Sequence, residues 1–330
     1  MNRAGRRFRL PAWADSFMLG IIGAMALSTV TAPWGASSGP LGLGRLASLG
    51  IALVFFLHGV KVSRERLHAG SRNLRLHLLI QSATYLWFPA VGFAAFWLLS
   101  HWVPAPLALG FFYVCALPST IASAVTMVGI AGGNVAAAVF NATLSGLIGI
   151  VLTPTLVGLV ASSSGIQLPY LAAMQNLAVQ VLLPFALGHA LQRWFLPQVN
   201  AWPRLVRWLD RGAIVLVIYV AFCDAVQADA LRQASWQALL LVFVATGLVL
   251  AGALSGTRRW ARRQGFPIAD EITAVFCGSQ KSLANGMPMA KVLFGSHPAL
   301  GLVVLPMIVY HQAQLIVCAM LARRYARLQR

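Results

Sequence analysis

Phe276-Cys-Gly-Ser-Gln-Lys-Ser-Leu-Ala-Asn-Gly-Met-Pro288 is the stretch that decides the fold. It lies inside an apolar run, residues 268–293, and about 20 such residues cross a bilayer. Yet it carries Gln280, Lys281, Ser282 and Asn285, with Gly278, Gly286 and Pro288 to weaken a helix. A lysine at the bilayer centre costs roughly 2.5–3.5 kcal/mol on insertion scales. Irregular backbone at that depth survives only against protein or in a water-filled cavity. The stretch therefore predicts an interrupted membrane helix at a functional position.

A second stretch has the same character: Ala116-Leu-Pro-Ser-Thr-Ile-Ala-Ser-Ala-Val-Thr126. Between and around the two, the chain reads as ten apolar segments: 15–33, 45–63, 76–100, 105–129, 134–161, 168–192, 212–229, 235–256, 268–293 and 299–321. The interrupted segments are the fourth and the ninth. Two halves of five segments each enter from opposite sides, so the fourth of one half corresponds to the fourth of the other. Interrupted segments at matching positions of inverted halves point to a transport site. The expected fold is an all-α membrane protein: ten transmembrane helices in two inverted five-helix repeats, about 12–161 and 168–322, forming one domain. The connection at Ala131-Gly-Gly-Asn134 is short, which predicts a tight hairpin of segments four and five.

Composition agrees. Of 330 residues, 59% are hydrophobic and 10% charged, with mean hydropathy +0.76. Soluble chains carry about 25% charged residues. The net charge of +18 would suggest nucleic acid in a soluble protein. Here 21 of the 25 Lys and Arg fall in the N-terminal tail, in the loops after segments two, six and eight, and in the C-terminal tail. Those five stretches share one side of a ten-span protein. Arg45, Arg232 and Lys291 fall on the other side, and Lys281 within a span. That asymmetry predicts cytoplasmic termini in a plasma membrane of the bacterial inner-membrane type, with no role for nucleic acid. Trp34, Trp102, Trp194, Trp202, Trp208, Trp236 and Trp260 sit at segment ends as interfacial anchors, while Trp87 and Trp97 lie within segment three. The arginines before the first segment read as its anchor rather than as a cleaved leader.

The polar residues near the two interruptions are the candidate substrate or ion ligands. If segment four restarts after Pro118, Ser119 or Thr120 caps the new half-helix, whose free amides and dipole favour an anion. Ser123 and Thr126 follow on that half-helix, and segment five brings Asn141, Thr143 and Ser145. Such hydroxyls also serve simply to pack helices. Lys281 has no evident carboxylate partner. It could hold the broken helices together, contact an anionic substrate, carry a proton, or pair with helix C-terminal carbonyls. Asn285 would share its face if that stretch were helical. His311, Gln312 and Gln314 lie in segment ten and Gln81 in segment three. His311 could titrate or merely bond across helices. The cysteines at 115, 223, 277 and 318 read as buried and unpaired. No GxxxxGK[ST] loop is present, so no ATP-binding domain is expected in this chain. No catalytic dyad or metal cluster appears, so no enzyme and no resident cofactor is expected.

Leu117-Pro118, Gly133-Asn134-Val135 and Leu152-Thr153-Pro154, with Cys277-Gly-Ser-Gln-Lys-Ser-Leu-Ala-Asn-Gly-Met-Pro-Met-Ala290, resemble segments four, five and nine of the bile acid:sodium symporter family. Phe55-Phe-Leu-His-Gly59 and His311-Gln-Ala-Gln314 resemble its SBF-like branch. The resemblance implies a panel of segments one, two, six and seven, and a core of the others in which four and nine cross near the midplane. It also implies alternating access coupled to sodium. Three positions depart from the family pattern. Phe276 stands where the family places a Glu serving both sodium sites, Lys281 stands for an Asn, and Ser123-Ala124 stands for a Ser-Asn pair. The expectation is a secondary transporter of a small organic anion, bile-acid-like in being amphipathic. Na+ or H+ are the candidate coupling ions, with the Lys281 ammonium in the electrostatic place of a sodium. The alternatives are an uncoupled facilitator and a non-transporting membrane regulator.

Overall fold

A computed structural model describes residues 16–62, 73–163, 175–295 and 300–328. Arginines 3, 6, 7, 9, 64, 66, 72 and 330 lie outside the described residues, as do the expected starts of the first, sixth and tenth segments and the expected end of the second. Every regular element among the described residues is helical. The chain runs through α1 (Ser16–Gly35), α2 (Leu43–Lys61) and α3 (Leu74–Leu99), then α4 (Ala105–Ala116), α5 (Ala122–Ile130) and α6 (Val135–Ser163). There follow α7 (Leu183–Ala190), α8 (Gln192–Ala201), α9 (Pro203–Gln227) and α10 (Trp236–Arg263). The last are α11 (Ile268–Ser279), α12 (Leu283–Phe294) and α13 (Leu300–Leu328). Six of these helices are continuous, apolar and long enough to cross a membrane: α1, α2, α3, α6, α10 and α13.

Segments four and nine are each two short helices, as expected, but the break in the second falls between its glycines, before Gly286 and Pro288. It comprises Gln280-Lys281-Ser282, and Gly286 and Pro288 lie inside α12. The side-chain cap is also in the second break. Ser282 Oγ accepts the Asn285 amide at 3.2 Å, whereas Ile121 stands at the N-cap of α5 and supplies no side-chain cap. Neither Ser119 nor Thr120 therefore caps α5. The stretch after α7, expected as a loop, is largely helical because its apolar side has a surface to cover. Val199 of α8 packs with Leu57 and Val60 of α2, and Gln192 Nε2 donates to the carbonyls of Val60 (2.8 Å) and Val62 (2.5 Å).

α3 and the helix leading into α7 each contain a π-turn, Ala83–Trp87 and Ala178–Leu182. Pro89 and Pro184 follow them closely and cannot donate to an i−4 carbonyl. The ladder shifts by one residue, so that the Phe88 amide bonds to Ala83 O and the Leu183 amide to Ala178 O.

The helices form two packed groups. α1, α2, α7 and α9 lie against one another, and α3, α4, α10, α11 and α13 against one another. In the first group α2 and α7 meet backbone to backbone. A Cβ on Gly59 would stand 2.1 Å from Phe185 O, and one on Gly188 2.1 Å from Phe56 O, so only glycine permits this approach. α9 joins the groups through contacts with α12 and α13. The four cysteines are free and buried. The anchoring tryptophans are exposed, and so is Trp97, which lies one turn from the end of α3 and belongs with them.

Candidate functional site

The two breaks touch. The Ser282 amide donates to Pro118 O at 2.9 Å, Ser119 Oγ to Cys277 O at 2.7 Å, and Ser123 Oγ to Gln280 Oε1 at 2.6 Å. Pro118 ends α4, because the backbone that would continue it goes elsewhere: the Ser119 amide finds Ser145 Oγ at 2.9 Å instead of Cys115 O. Three tyrosines from flanking helices satisfy other carbonyls. Tyr113 Oη donates to Gly286 O at 2.6 Å, Tyr310 Oη to Ser279 O at 2.7 Å, and Tyr85 Oη to Ser145 O. Every freed buried carbonyl needs such a partner.

Lys281 sits at the centre, 2% exposed. Its Nζ donates to Leu117 O (2.7 Å), Cys115 O (3.0 Å) and Thr84 O (3.2 Å), and lies 3.9 Å above the Phe88 ring. The origin of the three acceptors can be traced. Cys115 and Leu117 carbonyls are exposed because Pro118 ends α4. Thr84 O is exposed because the π-turn before Pro89 sends the Phe88 amide to Ala83. The ammonium thus lies at the negative end of the α4 dipole. Among the described residues no carboxylate pairs with it. Gln314 clamps the Lys281 backbone, accepting from its amide (2.7 Å) and donating to its carbonyl (2.8 Å).

The candidates divide among places. Ser119, Thr120, Gln280, Lys281 and Ser282 are buried at the crossing. Ser123 joins them through Gln280. His311 is buried beside Gln314, with Nδ1 2.9 Å from Gln314 Nε2. Gln81 and Asn141 form a second cluster. Gln81 Nε2 donates to Asn141 O (3.1 Å) and Oδ1 (3.3 Å), and Asn141 Nδ2 lies 2.9 Å from His77 Nδ1. Gln312 has both amide atoms buried without a hydrogen bond. Thr126 is exposed, its hydroxyl donating to Ala122 O of its own helix at 2.7 Å. Lys281 is in the break rather than on a helix, so the expected shared face with Asn285 does not form.

Asn285 instead lines a cavity of about 180 Å³ between α2 and α7 on one side and α5, α6 and α12 on the other. Phe55 of α2 and Phe185 of α7 face it from one side, and Ile121, Leu147, Ile150 and Met289 from the other. Thr143 and Gly146 of α6 complete the wall, and His58, Lys61 and Val62 lie at the end of α2 where the basic loop begins. The residues are mostly apolar, with an amide, a hydroxyl and, toward the end of α2, the Lys61 ammonium; His58 Nε2 there lies 3.6 Å from Asp210 Oδ1. Ile121 also places the uncapped start of α5 on this wall. His58 and Lys61 are absent from the sequence-based candidates. His58 was visible in the Phe55–Gly59 motif, but nothing in the sequence said which face of α2 it occupies. No group of His, Cys, Asp or Glu able to hold a metal ion occurs among the described residues.

The model of the SBF-like CPA transporter family matches residues 15–327. "Uncharacterized protein PA2026" of Pseudomonas aeruginosa is 44% identical over 95% of this chain and 93% of its own. "Putative symporter YfeH" of Escherichia coli is 44% identical over 86% of this chain and 84% of its own. "Sodium/bile acid cotransporter 7" of Mus musculus is 30% identical over 92% and 90%.

Proposed function

This chain belongs to the SBF-like CPA transporter family, and we propose that it moves a small, amphipathic organic anion by alternating access. It is a transporter and not an enzyme. The observation that carries the substrate class is the cavity between α2 and α7 and the α5–α6–α12 wall. Its apolar walls suit a hydrocarbon body, Asn285 and Thr143 suit a polar substituent, and Lys61 and the uncapped α5 start suit a carboxylate or sulfonate.

In this reading the fold is ten membrane segments in two inverted five-segment repeats, 12–161 and 168–322, in a bacterial-type inner membrane with both termini cytoplasmic. The charge distribution supports the orientation. The cavity end at His58 and Lys61 then faces the cytoplasm. The α1–α2–α7–α9 group acts as the panel, and the crossing helices move against it. The Mus musculus relative is named a sodium/bile acid cotransporter; coupling in this chain is read from its own residues. Phe276 supplies no carboxylate, and the Lys281 ammonium already fills the carbonyl-lined position with a fixed positive charge. Sodium is therefore not required at that position, and a proton or no ion drives the cycle.

The experiment is uptake by purified protein in liposomes, screening organic anions with and without sodium and with and without a pH gradient. The expected result is uptake of an amphipathic anion that does not depend on sodium. Sodium-dependent uptake that survives Lys281→Ala unchanged would overturn the coupling assignment. Failure of every anion to bind or be taken up, against uptake of a cation or neutral solute, would overturn the substrate class.

A further inference from the structure

Far from the basic end of the cavity, the end of α12 is tied to α9 by charges that the site above does not use. Lys291 lies in the last turn of α12, 9% exposed. Its Nζ donates to Ser37 Oγ at 2.6 Å and pairs with Asp224 Oδ2 at 3.2 Å. Asp224 belongs to α9, and Ser37 to the turn after α1. These two are bound to each other independently of Lys291: the Ser37 amide donates to Asp224 Oδ1 at 2.7 Å and Ser37 Oγ to Oδ2 at 2.5 Å. The receptor for the ammonium is thus preassembled on the α1–α9 side, and only the lysine comes from the crossing-helix side.

We infer that Lys291 and Asp224, with Ser37, are the latch that holds the cavity closed at this end. They are positioning residues for the transport cycle. The inference rests on the alternating-access reading, in which α12 must part from α9 for this end to open. A buried ion pair contributes little net stability, because both charges have lost their water. Its use is in selecting between states. Together the charges compensate each other. Apart, each is hydrated in the opened vestibule, and Asp224 keeps two bonds from Ser37. Removing one partner leaves an unpaired charge in the closed state only, which favours opening.

The test needs no substrate, so it is independent of the anion assignment. Cysteine is placed at Ile150, on the cavity wall, with Cys223 replaced by alanine. The protein is oriented in liposomes, and a membrane-impermeant maleimide is applied from the face bearing Ser37. Lys291→Met and Asp224→Asn should each raise the labelling rate about tenfold, the population change given by about 1.4 kcal/mol. The exchange Lys291→Asp with Asp224→Lys should return labelling toward that of the parent. Ser37→Ala, which removes one bond from each charge, should raise labelling less, and it serves where a charge variant fails to fold. Unchanged labelling in the folded single variants, or an exchange variant no closer to the parent than either single one, would overturn the latch. Loss of anion uptake with the labelling pattern intact would count against the substrate reading alone.

Discussion

Replacing Lys281 with methionine keeps most of the side-chain volume and removes the ammonium. The carbonyls of Thr84, Cys115 and Leu117 then lose their donor in a water-poor interior, at about 1–3 kcal/mol for each left unsatisfied. We predict a lower melting temperature for Lys281→Met in detergent; an unchanged one would remove the structural role. Lys281→Ala makes a sharper case, because it leaves the same three oxygens around an open space. Sodium chloride should raise its melting temperature relative to choline chloride, while the parent protein responds equally to both salts. Gln314→Leu should also destabilise, since it strands both the amide and the carbonyl of Lys281, and a melting scan measures that directly. The oddity of Lys281 was legible because an ionisable group in an apolar run is costly wherever it lies. Its partners were not legible. They are backbone carbonyls, and only the positions of Pro89 and Pro118 hint at which ones the helices release.

At the scale of elements, the close contact of α4 with α13 sets where the first break lies. A Cβ on Gly110 of α4 would fall 2.2 Å from Val303 O and 2.8 Å from its carbonyl carbon, so Gly110→Ala must push the two backbones apart. Overpacking of this kind costs about 1–3 kcal/mol, and here it would also shift the Cys115 and Leu117 carbonyls from Lys281. Gly247→Ala in α10 is the control: its Cβ would meet nothing within 4 Å, and alanine favours the helix by up to about 1 kcal/mol. Melting curves should separate the two variants in opposite directions. The interrupted segments were readable from Pro118 and from the polar run at 279–285. The exact second break was not, because Pro288 is accommodated inside α12 while the unwinding is set by what Lys281 and Ser282 bind. The π-turns were equally hidden. A proline predicts a disturbed ladder, but whether the result is a kink or a shifted register depends on the neighbouring helices.

At the scale of the molecule, the residues predict two halves and a charged side, but no cavity. Cavities arise from residues that different helices leave absent, and Gly146 is such a place. It lies on the wall, and a Cβ there would stand 3.7 Å from Asn285 Nδ2, an ordinary contact that strains nothing. A larger side chain must therefore point into the space of about 180 Å³ rather than into packed neighbours. Gly146→Phe should abolish anion uptake while leaving the protein monodisperse and its melting temperature near that of the parent. The same variant covers the labelling position of the latch test, since Ile150 lies one turn along the same wall. Outer-face labelling of a cysteine at Ile150 should therefore fall in the Gly146→Phe background even with Asp224→Asn. Loss of uptake together with that loss of labelling would place the anion in this cavity. Uptake that persists in a folded Gly146→Phe protein would place the translocation path elsewhere.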